Sequence, residues 1–284
     1  MASEQPRRTV SDRLDSLVHH NRFTIAVVFP LVGTVLLILG SEGYVPSELA
    51  LNPFLLVAAT FVMRLPLIAG LMPLVTRRAA TALLALATFT YAIELVGVRT
   101  GLPYGEFSYQ LALGPMLFGE VPLALPIFYF PLLLNGYLLG LLLLGPRATS
   151  RLRRVLTGIA LVLVMDLVLD PAAVDLGFWA YADGGAYYDV PVSNYLGWVF
   201  SATVAMTLVD LGFDAAGVRA RLDRCSFMLD DLVSFAILWG VINGYFGNWI
   251  PAALAVGFAV VLMRLDRFDF VVGPPAFNRW TKSS

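Results

Sequence analysis

Two aspartates near the end of an apolar run have residue types and a spacing that could do chemistry. Asp166 and Asp170 lie in the stretch MDLVLDPAAVD, four residues apart. In a helix this spacing places both side chains on one face. Two carboxyls this close in apolar surroundings cannot easily both ionise, so one is expected to keep its proton near neutral pH. The pair therefore predicts a proton donor in an apolar pocket.

Two more ionisable residues lie inside apolar runs and belong with this pair. Glu94 lies near the end of one run and Arg64 in the middle of another. A charge within a membrane costs about 2.5–3.5 kcal/mol on insertion scales, and such residues usually face the bundle interior or a wet cavity. We expect Arg64 to be the counter-ion of one of the acids. The alternative is a buried ion pair that only fixes helix packing.

Four other aspartates near the ends of apolar runs are given no chemical role. Asp210 lies beside Asp214 at an expected membrane interface, where solvation accounts for its charge. Asp230 and Asp231 are typical of the first turn of a helix, where acidic side chains stabilise the N-terminus.

The composition predicts a membrane protein with several spans. Of the 284 residues, 58% are hydrophobic and 14% are charged, whereas a soluble domain is about one quarter charged. A net charge of −1 offers no basic patch for nucleic acid. The single cysteine, Cys225, excludes a disulfide framework and a cysteine metal site. Both histidines, His19 and His20, precede the first apolar run, which excludes a His-based dyad or metal site within a bundle.

Eight apolar runs are long enough, or nearly so, to cross the hydrocarbon layer, which takes about 20 residues per helix. The predicted spans are 23–40, 53–75, 79–97, 120–144, 152–170, 195–213, 231–247 and 249–264. Three prolines near the start of the fourth span predict a kink or an interfacial segment there.

The arginines orient these spans. With both termini in the cytoplasm, 17 of the 19 basic residues lie in segments on the inside, which satisfies the positive-inside rule. We therefore expect an all-α polytopic helical bundle in the cell membrane. A cytoplasmic tail at 1–22 would precede a single membrane domain at 23–270, and a second cytoplasmic tail at 271–284 would follow it.

Two long connections, 98–119 and 171–194, fall on the outer side in this arrangement and are rich in aromatic residues, glycine and acids. Function concentrates on loops that a rigid scaffold holds, so we expect the site at this end. Tyr104, Trp179 and Trp198 are candidates for a pocket wall in which aromatic faces stabilise a developing cation. For most of the aromatic residues an interfacial belt is the favoured interpretation.

Two asparagines are uncharged polar candidates in or near the spans. Asn194 and Asn243 could each orient a water molecule or form a hydrogen bond between helices. The second interpretation is favoured for both, because polar side chains in membrane bundles commonly bond across helices.

Several loop motifs together resemble a known family. The motifs are Asp166-x-x-x-Asp170-Pro171, Gly177-Phe178-Trp179, Pro191-x-Ser193-Asn194-Tyr195 and the upstream Thr100-Gly101-x-Pro103-Tyr104-Gly105. The chain is similar to the membrane-integral carotenoid hydratases over about residues 25–270. The resemblance implies cofactor-independent addition of water to the terminal isopropylidene double bond of an acyclic carotenoid taken from the lipid phase. Association with other enzymes of carotenoid biosynthesis is compatible with it.

The candidate residues fit such a hydration. The reaction needs a strong acid, stabilisation of a tertiary cation and a positioned water. We expect Asp170 or Asp166 to supply the proton, and the neighbouring carboxylate or Glu94 to activate the water. Arg64 is expected to hold one acid ionised. The residues expected to bind the substrate and shield the cation are Tyr104, Trp179, Asn194 and Trp198.

Two other functions stay open on the sequence alone. An intramembrane prenyltransferase would bind a diphosphate through Mg²⁺, which calls for two acidic motifs on separate helices and nearby basic residues. A lipid transporter would commonly show inverted repeats with broken helices. The sequence has one DxxxD motif and no evident repeat, although its proline-containing spans are compatible with a transporter.

Overall fold

A computed structural model describes residues 4–111 and 113–270, with side chains from residue 10 onward except Ser47. The expected tail at 271–284 lies outside the described residues. The helices are α1 Glu4–Phe23, α2 Phe29–Ser41, α3 Ser47–Ala50, α4 Pro53–Leu71, α5 Arg77–Thr100, α6 Leu125–Leu144, α7 Arg151–Asp175, α8 Val192–Gly212, α9 Ala215–Arg224, α10 Asp230–Phe246 and α11 Trp249–Arg264. The strands are β1 Phe107–Tyr109, β2 Met116–Leu117, β3 Val121–Pro122 and β4 Trp179–Tyr181.

The predicted all-α membrane bundle is confirmed. Seven helical segments of the described chain are long and apolar enough to cross a membrane. The eighth predicted span coincides with α11, an apolar helix of 16 residues. The first span is longer than predicted, because a π-helical turn at Thr24–Val28 joins α1 to α2 and continues the helix through the polar N-terminal segment.

The start of the fourth span was predicted too early. The helix α6 begins at Leu125, because the residues before it form an antiparallel pair in which Met116 lies opposite Pro122. Pro126 lies in the first turn of α6, where a missing backbone N–H has no cost. The residues before Leu125 are therefore not part of the helix, and their interfacial position stays a prediction.

The bundle has two distinct ends, which we name by their residues. The strand end carries the segments 101–111, 113–124 and 176–191, and the arginine end carries the connections between α4 and α5, α6 and α7, and α8 and α10. Helix α7 packs against α6, α8, α10 and α11, and α5 packs against α8. Since α7 has neighbours on several sides, residues near its strand end are buried among other helices.

A two-stranded ribbon covers part of the strand end. Strands β1 and β4 are antiparallel, with Phe107 opposite Tyr181 and Tyr109 opposite Trp179. Side chains two residues apart on a strand project from the same face. The ribbon therefore brings four aromatic side chains, two from each long connection, to one place.

Candidate active site

A cavity of about 330 Å³ lies at the strand end and gathers most of the predicted site residues. Its wall is mostly apolar, with contributions from α2 to α8, α10 and the β1–β4 ribbon. Asp166 does not line the cavity and is fully buried behind it. The predicted residues that line it are Arg64, Glu94, Tyr104, Asp170, Trp179, Asn194 and Trp198.

The two aspartates of α7 share one amide as a partner. The side-chain nitrogen of Asn194 donates to Asp166 Oδ2 at 3.1 Å and to Asp170 Oδ2 at 2.5 Å. Asn194 lies on α8, so its amide joins two helices, as the sequence interpretation favoured. The same contact brings the two carboxyls close together with Asp170 on the cavity side. The other oxygen of Asp166, Oδ1, is buried and has no hydrogen-bond partner among the described residues.

The ribbon supplies a tyrosine hydroxyl to each cavity-lining acid. Tyr109 of β1 donates to Glu94, and Tyr181 of β4 donates to Asp170 at 3.2 Å. Burial, together with the adjacent carboxylate, raises the pKa of Tyr109 and the pKa of Tyr181 well above the usual value. Both phenols therefore remain neutral donors at ordinary pH.

Aromatic rings form one wall of the cavity. The ring of Trp198 stacks on Tyr129 with centroids 5.0 Å apart and lies 6.2 Å from Tyr104. The hydroxyl of Tyr104 shares a hydrogen bond of 2.7 Å with Ser201. Glycine is required beside Tyr104, since a Cβ at Gly197 would lie 2.5 Å from its ring. This close approach of α8 holds the wall in place.

Arg64 does not pair with any of the predicted acids, which corrects the sequence expectation. Its guanidinium contacts Asp231 Oδ1 at 2.5 Å, and Asn135 also donates to that aspartate. The reason is helix packing: α4 packs against α10, whose first turn carries Asp231. Asp231 is therefore a buried ion-pair partner as well as a first-turn residue.

Asp230 and Asp210, which the sequence analysis also named, have arginine partners too. Arg22 contacts Asp230 through two nitrogens, at 2.8 and 2.9 Å. The side chain of Asp210 has no exposed surface and accepts from Arg151 at 3.0 Å and from Arg154 at 2.5 Å. The expectation that solvent accounts for Asp210 is wrong, because the carboxylate is buried and its oxygens accept from two arginines rather than from water. These pairs belong to the packing of the arginine end.

The three acids at the cavity differ from these structural acids in one respect. In the part of the chain that the structure describes, Glu94, Asp166 and Asp170 form no ion pair with an arginine or histidine. Their partners are an amide and two phenols. Buried carboxyls normally require a paired cation to remain charged. These three acids have no such cation among the described residues, so their charge is not compensated as that of the arginine-paired acids is.

The sequence interpretation did not single out the acid-binding tyrosines, Tyr109 and Tyr181, or the stacked Tyr129. A signal for the first two was present, because FSY and WAY alternate aromatic and small residues with the period of a strand. Asn243 behaves as expected: it donates to the backbone oxygen of Val168 at 2.7 Å and so joins α10 to α7.

The fold and the site define a polytopic membrane protein with an acid-lined apolar cavity at one end of a helical bundle. Residues 51–262 match the family described as carotenoid biosynthesis protein, so the chain belongs to this family and is a membrane enzyme of carotenoid biosynthesis. It is 58% identical over 267 residues to the bisanhydrobacterioruberin hydratase of Haloarcula japonica. The match covers 94% of this chain and 91% of that relative, and it confirms the resemblance of the loop motifs. No solved structure matches this chain.

Proposed function

We propose that this protein adds water to the terminal isopropylidene double bonds of an acyclic carotenoid, with bisanhydrobacterioruberin as the substrate and bacterioruberin as the product. The observation that carries the proposal is the group formed by Glu94, Asp166 and Asp170. These carboxyls lie at one end of an apolar cavity with an aromatic wall and have no ion-paired cation among the described residues. The hydratase activity of the 58% identical relative supports the same reaction.

The first step is proton transfer from Asp170. Three buried carboxyls without a paired cation cannot all carry charge at an acceptable cost, so at least one keeps its proton. Asp170 is the donor because it lines the cavity, whereas Asp166 lies behind it. The π electrons of the alkene form a C–H bond at the less substituted carbon, and the positive charge remains on the tertiary carbon. Asp170 becomes a carboxylate that Asn194 and Tyr181 stabilise.

The second step is capture of the tertiary cation by water. The faces of Tyr104, Trp179 and Trp198 shield the cation, since aromatic faces attract positive charge. A water oxygen forms the C–O bond and releases one proton to Glu94. The sum is alkene plus water giving a tertiary alcohol, and the cycle closes when the proton returns from Glu94 to Asp170. The step requires no cofactor.

Arg64 takes a different role from the one first expected. It lines the cavity, but its charge is paired with Asp231. We therefore assign it to the packing of α4 against α10 rather than to the ionisation of the catalytic acids. The arginine distribution supports a cell-membrane protein with cytoplasmic termini, and in that orientation the strand end would face the extracytoplasmic side. The substrate would come from the lipid, and other carotenoid-biosynthesis enzymes are candidate partners.

The test is a set of conservative variants in a host that makes an acyclic carotenoid. Asp170→Asn and Glu94→Gln are expected to leave the pigment unhydrated, because the amides can neither donate nor accept the required proton. Asp166→Asn is expected to slow the reaction. Asp183→Asn and Glu106→Gln are the controls, since both residues are exposed in the same two loops and lie outside the cavity wall.

The readout is the mass of the pigment, which increases by one water for each hydrated end. Full hydration by Asp170→Asn and by Glu94→Gln would contradict the mechanism. An unaltered pigment with the unmutated chain would contradict the reaction itself. Among the other functions, a product lengthened by a prenyl group would identify a prenyltransferase, and an unchanged pigment that moves between membranes would identify a transporter.

A further inference from the structure

Among the described residues, the exposed residues that line the cavity all lie on one side. Three of the described lining residues are exposed and all are leucines: Leu36 of α2 is 40% exposed, Leu49 of α3 is 57% exposed and Leu55 of α4 is 53% exposed. The other lining residues are buried or half-buried. The cavity therefore opens between α2, α3 and α4, and we call the opening formed by these three residues the leucine mouth.

The leucine mouth and the catalytic acids lie at different ends of the cavity. Glu94 and Asn194 belong to α5 and α8, which pack against each other, and Asp170 belongs to α7. The mouth helix α2 packs instead against α3, α4 and α10. A molecule that reaches the acids from the mouth must therefore extend through the cavity from one helix group to the other.

The surfaces of α2 and α4 beside the leucine mouth are apolar. On α2, Val32 is 52% exposed and Val35 is 55% exposed, and Phe54 at the start of α4 is 71% exposed. Leu36 lies five residues before the end of α2, which is roughly 8 Å along a helix axis. Exposed apolar side chains on a membrane-spanning helix face hydrocarbon, so the mouth opens into lipid just below the strand end.

We propose that the leucine mouth is the binding site for the polyene part of the substrate. This inference rests on the proposed function, in which the acid end of the cavity holds the isopropylidene group. A cavity of about 330 Å³ is near the small end of ligand pockets, which range over roughly 300–1,000 Å³. It holds an end group and leaves the rest of a long polyene outside, between α2 and α4 in the membrane.

A substrate with two reactive ends can place only one end at the acids at a time. In the part of the chain that the structure describes, the mouth is the exposed side of the cavity, so the rod-shaped polyene enters and leaves by this opening. The second end reaches the acids only after the first has withdrawn and the molecule has reversed in the membrane. Hydration of the two ends therefore takes two separate binding events.

Single engineered cysteines test the mouth. The chain's own cysteine, Cys225, is 3% exposed, so a thiol reagent reports the introduced site. Leu36→Cys and Leu55→Cys place a thiol at the mouth. The control is Leu196→Cys on α8, at a leucine that is 65% exposed and does not line the cavity. Each full-length variant is reconstituted in lipid and treated with an apolar maleimide or with a charged, membrane-impermeant one.

The apolar reagent is expected to react faster than the charged one at both mouth positions. An acyclic carotenoid with isopropylidene ends should slow that reaction at the mouth and leave it unchanged at position 196. Attachment of a bulky apolar group should lower hydration about tenfold or more at the mouth, relative to the same variant before labelling, because it fills the pocket opening. At position 196 labelling should leave the rate unchanged.

Three results would overturn the proposal: no protection by the carotenoid at the mouth, an unchanged rate after labelling there, or equal reactivity with the charged reagent. Protection reports binding of the carotenoid and does not depend on its hydration. A chain that shows protection at the mouth but no hydration before labelling would therefore contradict the proposed reaction and leave the polyene site supported.

Discussion

Replacing Asn194 by leucine removes an amide that donates to both aspartates of α7, at 3.1 and 2.5 Å. Leucine has a similar volume and no donor. A hydrogen bond contributes about 0.5–1.5 kcal/mol, or about 1.5–3 kcal/mol when one partner is charged. Asp170 is the proposed proton donor and becomes a carboxylate as the proton leaves. The lost hydrogen bond therefore destabilises the transition state more than the ground state. A loss of about 3 kcal/mol corresponds to roughly a hundredfold decrease in kcat.

The matched control is Asn248→Leu. Asn248 also donates to an aspartate of α7, Asp175, at 2.6 Å, and it contacts Asn243 at 3.1 Å, but it does not line the cavity. Both variants should lose stability to a similar degree. Only Asn194→Leu should lose kcat, with KM little changed, since the amide acts on the acids rather than on the polyene.

The assay combines hydration kinetics in lipid with unfolding in detergent. A double variant with Asp166→Asn should lose less than the sum of the two single variants, because Asn194 acts partly through that carboxyl. A kcat for Asn194→Leu equal to that of the unmutated chain would refute this reasoning. An equal decrease in kcat in the Asn248→Leu control would show that the effect of Asn194→Leu comes from general destabilisation.

Three further predictions concern other contacts. Tyr181→Phe removes the hydroxyl that donates to Asp170 and should lower kcat about tenfold. The control is Tyr187→Phe, which should leave kcat unchanged because the Tyr187 hydroxyl donates to a backbone oxygen outside the cavity wall. Equal rates for the two variants would contradict the role of the ribbon. Arg64→Leu leaves its aspartate partner buried and unpaired, so unfolding in detergent should become easier by about 3–5 kcal/mol; an unchanged unfolding midpoint would count against the ion pair. The hydrogen bond from Arg99 lowers the pKa of Glu120 below its usual 4.5. The pair therefore stabilises the fold above pH 4.5, and this stability is lost as the pH falls through the lowered pKa of Glu120. The Tm difference between the unmutated chain and Arg99→Gln should therefore be present at neutral pH and vanish in acid, and a difference that persists in acid would be inconsistent with the contact.

Much of the fold follows from local patterns in the sequence. Apolar runs of the right length predict the spans, and the i and i+4 spacing of Asp166 and Asp170 predicts their shared face. The convergence of the two long connections also follows, because the arginines place both at one end of the bundle. These inferences succeed since each depends on a short segment or on a simple count.

The partners of the buried charges could not be predicted in the same way. Arg64 and Asp231 are 167 residues apart, and their contact depends on which helices pack together. The same limit applies to Tyr109 and Tyr181, which reach their acids only because the two long connections pair as strands. Pairing of distant segments is a property of the whole fold rather than of local spacing.

Hydration in D₂O tests the central claim most directly. The purified chain in lipid receives an acyclic carotenoid with isopropylidene ends, and mass spectrometry with NMR locates the deuterium in the product. The account predicts one carbon-bound deuterium next to each new tertiary alcohol, and no product from Asp170→Asn. A hydrated product without carbon-bound deuterium, or full deuteration by Asp170→Asn, would contradict proton transfer from the buried acids of this cavity.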